Sequence, residues 1–354
     1  MKNRIRALRE GFQEEFDGYL VTNEINMLYF THFLGAAAML VPNGQQANLY
    51  VYGVNYEAAK AEAQNVNTEL VKKGEDLWKK VAGYIKDQRV KKLGFDTMNT
   101  SVYNKLADTL KDSTSLEAKS EHVWNLRRVK DEEELQKMRK AAELTSRGMQ
   151  AARETIKQGL REYEVAAQIE YAMRSQGSYG VAFDSIVTSG SRSAYPHGGC
   201  NERKIGRGEP VVVDIGATYK NYRSDMTRTF VVGKASAKQR KIHTIVKEAQ
   251  EKAFEKIRDG ANAAEVDRAA RNTIRRAKYG KCFVHGLGHG IGLDVHEQPV
   301  LNATSKDILK ERNVVTDEPG IYIVGFGGFR IEDTVLVRKS KGERLTEGSC
   351  VLEI

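Results

Sequence analysis

A buried strand with an acid near its centre constrains this chain more than any other feature. Residues 211–216 read Val-Val-Val-Asp-Ile-Gly, a run that predicts a strand buried on both faces. An unpaired carboxylate is costly in such a place, so Asp214 needs a partner. Asp225 follows eleven residues later. A hairpin centred between Tyr219 and Lys220 would set the two aspartates opposite each other, roughly 4.5–5.5 Å apart. A divalent cation between them would turn their repulsion into binding.

A second pair of acids repeats this arrangement near the end of the sequence. Glu318 and Glu332 are symmetric about Gly325, which lies in a turn-like segment, residues 325–328. A hairpin there would present two opposed glutamates. Either pair alone could be a solvated charge on an edge strand, but the repetition favours one shared metal site.

Nitrogen ligands are available in a glycine-rich segment, residues 285–297, which contains His285, His289 and His296. Its four glycines exclude the helical zinc-peptidase pattern and indicate backbone packed close against a neighbour. Neutral imidazole combined with carboxylates suits Mn, Fe, Co or Zn.

These positions resemble the metal ligands of the pita-bread metallopeptidases, which include methionine aminopeptidase, aminopeptidase P and prolidase. The five matching residues are Asp214, Asp225, His289, Glu318 and Glu332. The proline-specific branch is the more similar, through motifs at residues 193–198, 285–297, 318–322 and 330–333. The resemblance covers essentially the whole chain. It implies an α+β fold, with a C-terminal pita-bread domain built on a curved antiparallel sheet and a smaller N-terminal α/β domain like that of creatinase.

Hydrophobic periodicity and turn signals predict the same division into two domains, residues 1–124 and residues 125–354. In the first, helices are predicted at 4–16, 55–64 and 73–86, and strands at 18–22, 37–41, 47–54 and 92–96. In the second, helices are predicted from residue 130 onward and at 161–176, 237–258 and 262–278. We expect these four helices on the outer face of the sheet and the metal site on its inner face. The second domain is predicted to have the order helices, strands, helices, strands. This order is consistent with the internal two-fold pseudo-symmetry of the pita-bread fold.

The resemblance also implies a chemistry. Two divalent ions, Mn or Co in preference to Zn or Fe, would share a water and lower its pKa enough to give hydroxide. Glu318 would take the proton of the water and pass it to the leaving nitrogen. His197 and His296 would stabilise the oxyanion, and Arg330 would orient a metal-binding carboxylate. Tyr322 is either a proton donor or a core aromatic, and His285 supports the metal ligands or faces the substrate.

The predicted function is therefore hydrolysis of Xaa-Pro bonds in short proline-containing peptides, as an Xaa-Pro dipeptidase. The alternative is an aminopeptidase P acting on longer peptides, because many prolidases resemble His-Glu-Trp-Pro-Arg where this chain has Gln298-Pro299-Val300 after Glu297. A pocket for proline could include Phe183, Tyr195 and His197. Asp317 departs from the family, which usually carries an apolar residue there. A remoter alternative is a metal-free homologue that binds peptides or nucleic acid.

Composition limits the remaining possibilities. The net charge of +9 comes partly from basic clusters at residues 127–130, 238–241 and 275–278, which are expected to be solvated helix faces rather than a nucleic-acid surface. Three scattered cysteines argue against a disulfide framework. We see no signal peptide and no segment long enough to span a membrane, so a cytoplasmic enzyme is expected. By analogy with creatinases and prolidases, a homodimer is expected too.

Overall fold

Short strands and helices alternate through the first third of the chain, and the rest contains longer helices and further short strands. A computed structural model describes residues 3–354. The chain divides into one unit that ends at Arg127 and a second that spans Arg128–Ile354. Within the described residues, no helix combines the length and the apolar character needed to cross a membrane.

The first unit is built on one sheet. Its elements are α1 (Arg4–Phe12), β1 (Gly18–Val21), α2 (Glu24–Thr31), β2 (Ala38–Pro42), β3 (Ala47–Tyr52), α3 (Gly53–Glu62), β4 (Val66–Val71), α4 (Leu77–Asp87), β5 (Lys92–Phe95), α5 (Thr100–Leu110), β6 (Ser115–Ala118) and α6 (Glu121–Arg127). The six strands lie in the order β4-β3-β2-β1-β5-β6. The β1–β2 and β2–β3 pairs are antiparallel, and the other three pairs are parallel.

The predicted elements of this unit are found with shifted ends. Helix α1 ends at Phe12, earlier than expected, whereas β2 and β3 form the predicted hairpin, with Ala38 opposite Tyr50. Helix α2 was not predicted. Its residues from Asn26 to Thr31 are all buried, so it lacks the polar face that gives a 3.6-residue period.

The second unit has four long helices and a larger set of strands. Its elements are α7 (Glu132–Thr155), α8 (Glu162–Ser175), β7 (Gly180–Val181), β8 (Ile186–Ser189), β9 (Pro210–Ile215), β10 (Ala217–Tyr219), β11 (Tyr222–Arg223), β12 (Met226–Val231), α9 (Ala237–Phe254), α10 (Ala263–Arg276), β13 (Gly288–Gly290), β14 (Glu297–Leu301), β15 (Val314–Asp317), β16 (Gly320–Ile323), β17 (Gly327–Arg330), β18 (Asp333–Leu336) and β19 (Glu343–Arg344), with 3₁₀ turns at Gly190–Ala194 and Gly280–Cys282. The four predicted helices are confirmed, as is the twofold succession of helices and strands.

The helices cover one face of the strands. Helices α7 and α8 share an apolar core with β9 and β12, and this core includes Val211, Val213 and Phe230. Helices α9 and α10 share a second core with β15 and β17–β18. Side chains alternate along a strand, so Asp214, between Val213 and Ile215, points away from the helices. The acid of the buried strand thus reaches the opposite face, where it lines a cavity.

The first acidic hairpin has a different register from the predicted one. Lys220 and Asn221 form its turn with φ angles of 45° and 69°, and Tyr219 pairs with Tyr222. Two-residue turns with positive φ match the twist of a hairpin, so the turn is centred between Lys220 and Asn221. Asp214 therefore lies opposite Thr227, and not opposite Asp225 as expected. The two aspartates are diagonal neighbours on one face.

The second hairpin has the predicted register. Gly320 pairs with Arg330 in one ladder, and Asp317 pairs with Asp333 in the next. Both ladders share one register, so the intervening Glu318 and Glu332 fall opposite each other. Gly325, with a φ of 80°, lies in the turn that connects β16 to β17. The two glutamates therefore lie at symmetric positions in the hairpin, and both point to the inner face.

Candidate metal centre and active-site cavity

Five side chains from separate parts of the second unit converge on one cavity. They are Asp214 in β9, Asp225 before β12, His289 in β13, Glu318 after β15 and Glu332 between β17 and β18, and all five line a cavity of about 850 Å³. Nε2 of His289 lies 3.9 Å from Oδ2 of Asp225 and 3.4 Å from Oε1 of Glu318. Asp225, His289 and Glu332 each offer an atom within 4.8 Å of the others.

Three acids of this cluster each have one buried oxygen without a hydrogen-bond partner among the described residues. Oδ1 of Asp214, Oδ1 of Asp225 and Oε1 of Glu332 are buried without a hydrogen-bond donor. Burial first, and then the neighbouring carboxylates, raise the pKa of Asp225 and of Glu332 well above the ordinary range. Converging buried carboxylates with unused lone pairs are what a divalent cation requires, and the donor set fits such an ion.

His289 is held in the tautomer that suits a metal ligand. Its Nδ1 lies 3.0 Å from the carbonyl oxygen of Gly290, so Nδ1 carries the proton and donates it. Burial lowers the pKa of His289 to about 4, which keeps the ring neutral. The lone pair of Nε2 therefore points among carboxylates, an arrangement that a cation would stabilise.

Two glycines allow the strand of His289 to approach its neighbours. A Cβ at Gly288 would lie 2.2 Å from the carbonyl oxygen of Thr316, and one at Gly290 would lie 2.3 Å from that of Gln298. Any side chain at either position would separate β13 from the strands beside it. The predicted close packing of the glycine-rich segment is confirmed.

Arg330 joins the acids to a buried tyrosine and a partly buried histidine. It donates from Nη2 to Oδ2 of Asp214 at 2.6 Å and from Nη1 to the Tyr322 hydroxyl at 2.8 Å. The Tyr322 hydroxyl also lies 2.9 Å from Nε2 of His285, whose Nδ1 donates to the carbonyl oxygen of Gly286. Nε2 is thus an acceptor, and the tyrosine proton points to His285. Donation from Tyr322 to a reaction intermediate would require that hydrogen bond to break.

His197 and His296 both line the cavity and have exposed side chains. The ring of His296 lies 4.3 Å from that of His289, centroid to centroid. Burial, and then His197, lower the pKa of His296. Phe183 lines the cavity as expected of a proline pocket, whereas Tyr195 is 55% exposed and is not among the described lining residues.

Two threonines that the sequence analysis missed orient the acids. The Thr227 hydroxyl accepts from Nε of Arg330 and donates to Oε2 of Glu332 at 2.6 Å. The Thr316 hydroxyl accepts from the backbone of His289 and donates to Oε1 of Glu318. Each lies two residues from an acid on the same strand face, so alternation would have identified both.

A buried ion pair fixes the loop between His289 and His296. Nζ of Lys130 donates to Oε2 of Glu297 at 2.9 Å, and both side chains are 1% exposed. Oε1 of Glu297 accepts from the backbone of Leu293 and Asp294. The expectation that the basic cluster at residues 127–130 is solvated is therefore wrong for Lys130, because this lysine neutralises a buried glutamate.

Comparison with known proteins identifies the family. Residues 136–339 match the model of metallopeptidase family M24, and residues 4–129 match the creatinase/prolidase N-terminal domain. The chain belongs to metallopeptidase family M24. It is a metallopeptidase, and a divalent metal cofactor follows from the family. The expected fold, a pita-bread domain preceded by a creatinase-like domain, is confirmed.

Several relatives of this metallopeptidase cover nearly its whole length. An Xaa-Pro dipeptidase of Pyrococcus horikoshii is 39% identical over 98% of this chain and 97% of its own. The solved structure of an Xaa-Pro dipeptidase from Bacillus anthracis has a TM-score of 0.93 and 36% identity, covering 99% of both chains. That of an X-Pro aminopeptidase from Thermotoga maritima has a TM-score of 0.91 and 33% identity, covering 100% of both.

Proposed function

We propose that this protein is an Xaa-Pro dipeptidase that uses two divalent metal ions. The observation that carries the proposal is the convergence of four carboxylates and a neutral histidine at one cavity, with buried oxygens that lack donors. The full-length similarity to Xaa-Pro dipeptidases supports the substrate class.

Asp214, Asp225, His289, Glu318 and Glu332 would hold the two ions. Four acids and one neutral imidazole offer enough donors for two ions if some carboxylates bridge. A set that mixes imidazole nitrogen with carboxylate oxygen suits Mn, Co, Zn or Fe, and of these we expect Mn or Co. When bound, the ions supply an activated water at neutral pH and polarise the scissile carbonyl.

Glu318 is the residue that moves the proton. The Thr316 hydroxyl fixes its Oε1, while Oε2 has no hydrogen-bond partner among the described residues. The side chain is 17% exposed, so it is accessible from the cavity. Oε2 can thus take a proton from the attacking water and release it to the proline nitrogen, which has no hydrogen of its own in the peptide.

The histidines on the cavity wall would act on the substrate. His197 and His296 can donate to the carbonyl oxygen as it gains charge. Arg330 holds Asp214 in place through a buried hydrogen bond, and Tyr322 and His285 in turn hold Arg330. We assign Arg330 and Tyr322 to positioning the acids.

An aminopeptidase of the X-Pro type is the second candidate. The similarity to the Thermotoga maritima enzyme, and the absence of an arginine at residues 298–300, favour a cavity that accepts longer peptides. The remoter possibility of a metal-free binding protein is disfavoured by the intact set of acids and His289.

The test is hydrolysis of Ala-Pro and Ala-Pro-Ala by metal-stripped protein, with Mn²⁺, Co²⁺, Zn²⁺ or Fe²⁺ restored one at a time. We expect cleavage of Ala-Pro only after metal is restored, with two ions bound per chain by elemental analysis. Cleavage of the tripeptide alone would identify an aminopeptidase. Undiminished activity of the stripped protein, or no cleavage with any metal, would contradict the proposal.

We also propose a homodimer and a cytoplasmic location. The dimer rests on analogy with creatinases and prolidases, and the location rests on the three scattered cysteines, which have no disulfide partner among the described residues. Sedimentation equilibrium of the metal-loaded protein checks the dimer, and cell fractionation checks the location.

A further inference from the structure

The cavity is lined by two guanidinium groups among the described residues, and only one of them is committed to the acids. Arg330 donates to Asp214, Tyr322 and Thr227 and is 4% exposed. Arg223 has no carboxylate within 4.0 Å in the described chain. We propose that Arg223 binds the C-terminal carboxylate of the substrate and thereby selects dipeptides, an inference that rests on the proposed function.

The guanidinium of Arg223 has unused donors. Of its five N–H groups, the described structure gives an acceptor to one, on Nη1, which donates to the carbonyl oxygen of Ala182 at 2.9 Å. Nε is buried with no acceptor, and Nη2 has no partner among the described residues. A guanidinium anchored at one corner, with both N–H groups of Nη2 and one of Nη1 unpartnered in the described structure, is ready for a carboxylate, which accepts two parallel hydrogen bonds.

The backbone holds Arg223 in a defined place beside the metal ligands. Arg223 pairs with Thr218 in the hairpin, and its N–H donates to the carbonyl oxygen of Gly292 at 2.8 Å. Asp225 follows two residues later, and both residues line the cavity. The strand ladder keeps one register through this segment, so the two side chains leave the same face about 7 Å apart along the strand.

A dipeptide carries its terminal carboxylate close to the scissile bond. The carboxylate follows the scissile carbonyl by one residue, about 3.8 Å, and a charge-assisted hydrogen bond adds about 2.8 Å. Because Asp225 and Arg223 line the same cavity, a substrate whose scissile carbonyl lies at the acids can present its terminal carboxylate to Arg223. A longer peptide has an uncharged amide at that point, and a guanidinium interacts less strongly with an amide than with a carboxylate.

A flat ring lies on the same wall. A Cβ at Gly216, which faces Asp225 across the hairpin, would lie 2.9 Å from Cε1 of Phe183. The glycine therefore leaves room for the Phe183 ring close to Asp225, and the adjacent Ala182 carbonyl anchors Arg223. Phe183 offers an apolar surface for a proline ring, and Arg223 lies at the edge of this surface, where the carboxylate of that proline would emerge.

The test compares Ala-Pro with Ala-Pro amide, which lacks the carboxylate charge. Wild-type protein, Arg223→Met, Arg223→Lys and the control Lys220→Met are loaded with the metal that best restores activity. Lys220 is an exposed cation in the turn of the same hairpin and does not line the cavity. The measurements are kcat and KM for both substrates, and competitive inhibition by proline and by prolinamide.

We expect Arg223→Met to lower the preference for Ala-Pro over its amide by about 10- to 100-fold, mainly through KM, and Arg223→Lys to lower it less. Inhibition by proline should weaken in parallel, and Lys220→Met should match the wild type. Equal losses on both substrates would make Arg223 a structural residue and overturn the inference, as would an unchanged preference. If the wild type cleaves neither substrate, the proposed function itself fails, and proline binding to wild type and Arg223→Met still tests carboxylate recognition.

Discussion

The hairpin that runs from β15 to β18 carries one acidic pair on each face, and the protein neutralises the two pairs differently. Glu318 and Glu332 point into the cavity, whereas Asp317 and Asp333 pair across the ladder and point toward α9. Asp333 accepts hydrogen bonds from Arg228 at 2.8 Å, from Thr346 at 2.9 Å and from Gln250 at 2.9 Å. On the outer face, Asp333 is thus supplied with a resident cation, Arg228.

The inner face has more acids than resident cations. Arg330 donates a hydrogen bond to Asp214, but Asp225 and Glu332 each have a buried oxygen without a donor in the described chain. The neutral side chain of His289 faces these acids. Asp317 on the outer face also lacks a donor to either oxygen. Orphaned acids alone therefore do not identify a metal site. Two further features distinguish the inner face, a histidine that presents its lone pair and a cavity that admits a ligand.

The largest expected effect tests this distinction at Asp225. Asp225→Asn keeps the shape of the side chain but removes its charge. We expect it to lower metal-dependent activity by more than about 100-fold and to lose at least one bound ion, because a carboxylate ligand becomes a weaker neutral one. Elemental analysis and metal-dependent thermal shifts measure the loss.

The matched control is Asp317→Asn, which makes the same change on the opposite face, close to the proposed metal ligand Glu318. It should keep both the ion count and the thermal shift of the wild type. Equal metal loss in both variants would show that charge in the neighbourhood matters more than the face on which it lies.

The second prediction concerns the resident cation of the outer face. The side chains of Arg228 and Asp333 are each 3% exposed. Arg228→Met removes the hydrogen-bonded charge partner of Asp333 and leaves Arg344, whose Nε lies 3.6 Å from Oδ2, as its remaining cation, so we expect a loss of about 3 kcal/mol in the free energy of unfolding. Urea denaturation of the metal-loaded protein measures it. Arg240→Met removes a similar ion pair, with Glu353, in which both side chains are more than 40% exposed, and it should cost at most about 1 kcal/mol.

The sequence was sufficient to predict the parts of the site that depend on strand alternation, on spacing about a turn and on helix periodicity. Strand alternation and the symmetric spacing about Gly325 were enough to place Glu318 opposite Glu332, and the four long helices follow from their periodicity. The register of the first hairpin was wrong by one turn position, because the positive φ angles of Lys220 and Asn221 decide where the chain reverses. Nothing in the spacing alone reveals that choice.

Long-range pairings were beyond the reach of sequence patterns. Lys130 and Glu297 are 167 residues apart and meet in the interior, yet Lys130 was grouped with solvated basic residues. Arg223 lies in the hairpin between the two aspartates, and only the fold shows that it lines the cavity. Such residues acquire their role from packing between distant segments, which no local period encodes.

The third prediction uses Asp317, the exception on the outer face. Its side chain is fully buried, and burial raises its pKa well above the ordinary range. Asp317→Val replaces an unsatisfied carboxyl with a β-branched side chain suited to a strand. We expect a gain of about 1–2 kcal/mol in the free energy of unfolding of the metal-loaded protein. A loss of stability would mean that Asp317 has a partner that neutralises it in solution, and Arg344, whose charge acts on it, is the nearest candidate.

The smallest effect concerns the helix that covers the outer face. His243 lies on α9 and is 8% exposed, and burial, followed by the charges of Lys247 and Arg228, lowers its pKa to about 4. The unfolded chain binds a proton near pH 6.5 and the folded chain does not, so this histidine contributes stability above pH 6.5 that is lost as the pH falls toward 4. The contribution should decrease by roughly 1 kcal/mol between about pH 6.5 and pH 5.5. His243→Leu should remove that part of the slope, measured by urea denaturation at a series of pH values. If the free energy of unfolding depends on pH in the same way in the variant and the wild type, His243 is not held neutral in the folded protein. In that case α9 does not exclude water from the outer face, although the burial of Asp317 and Asp333 requires it to.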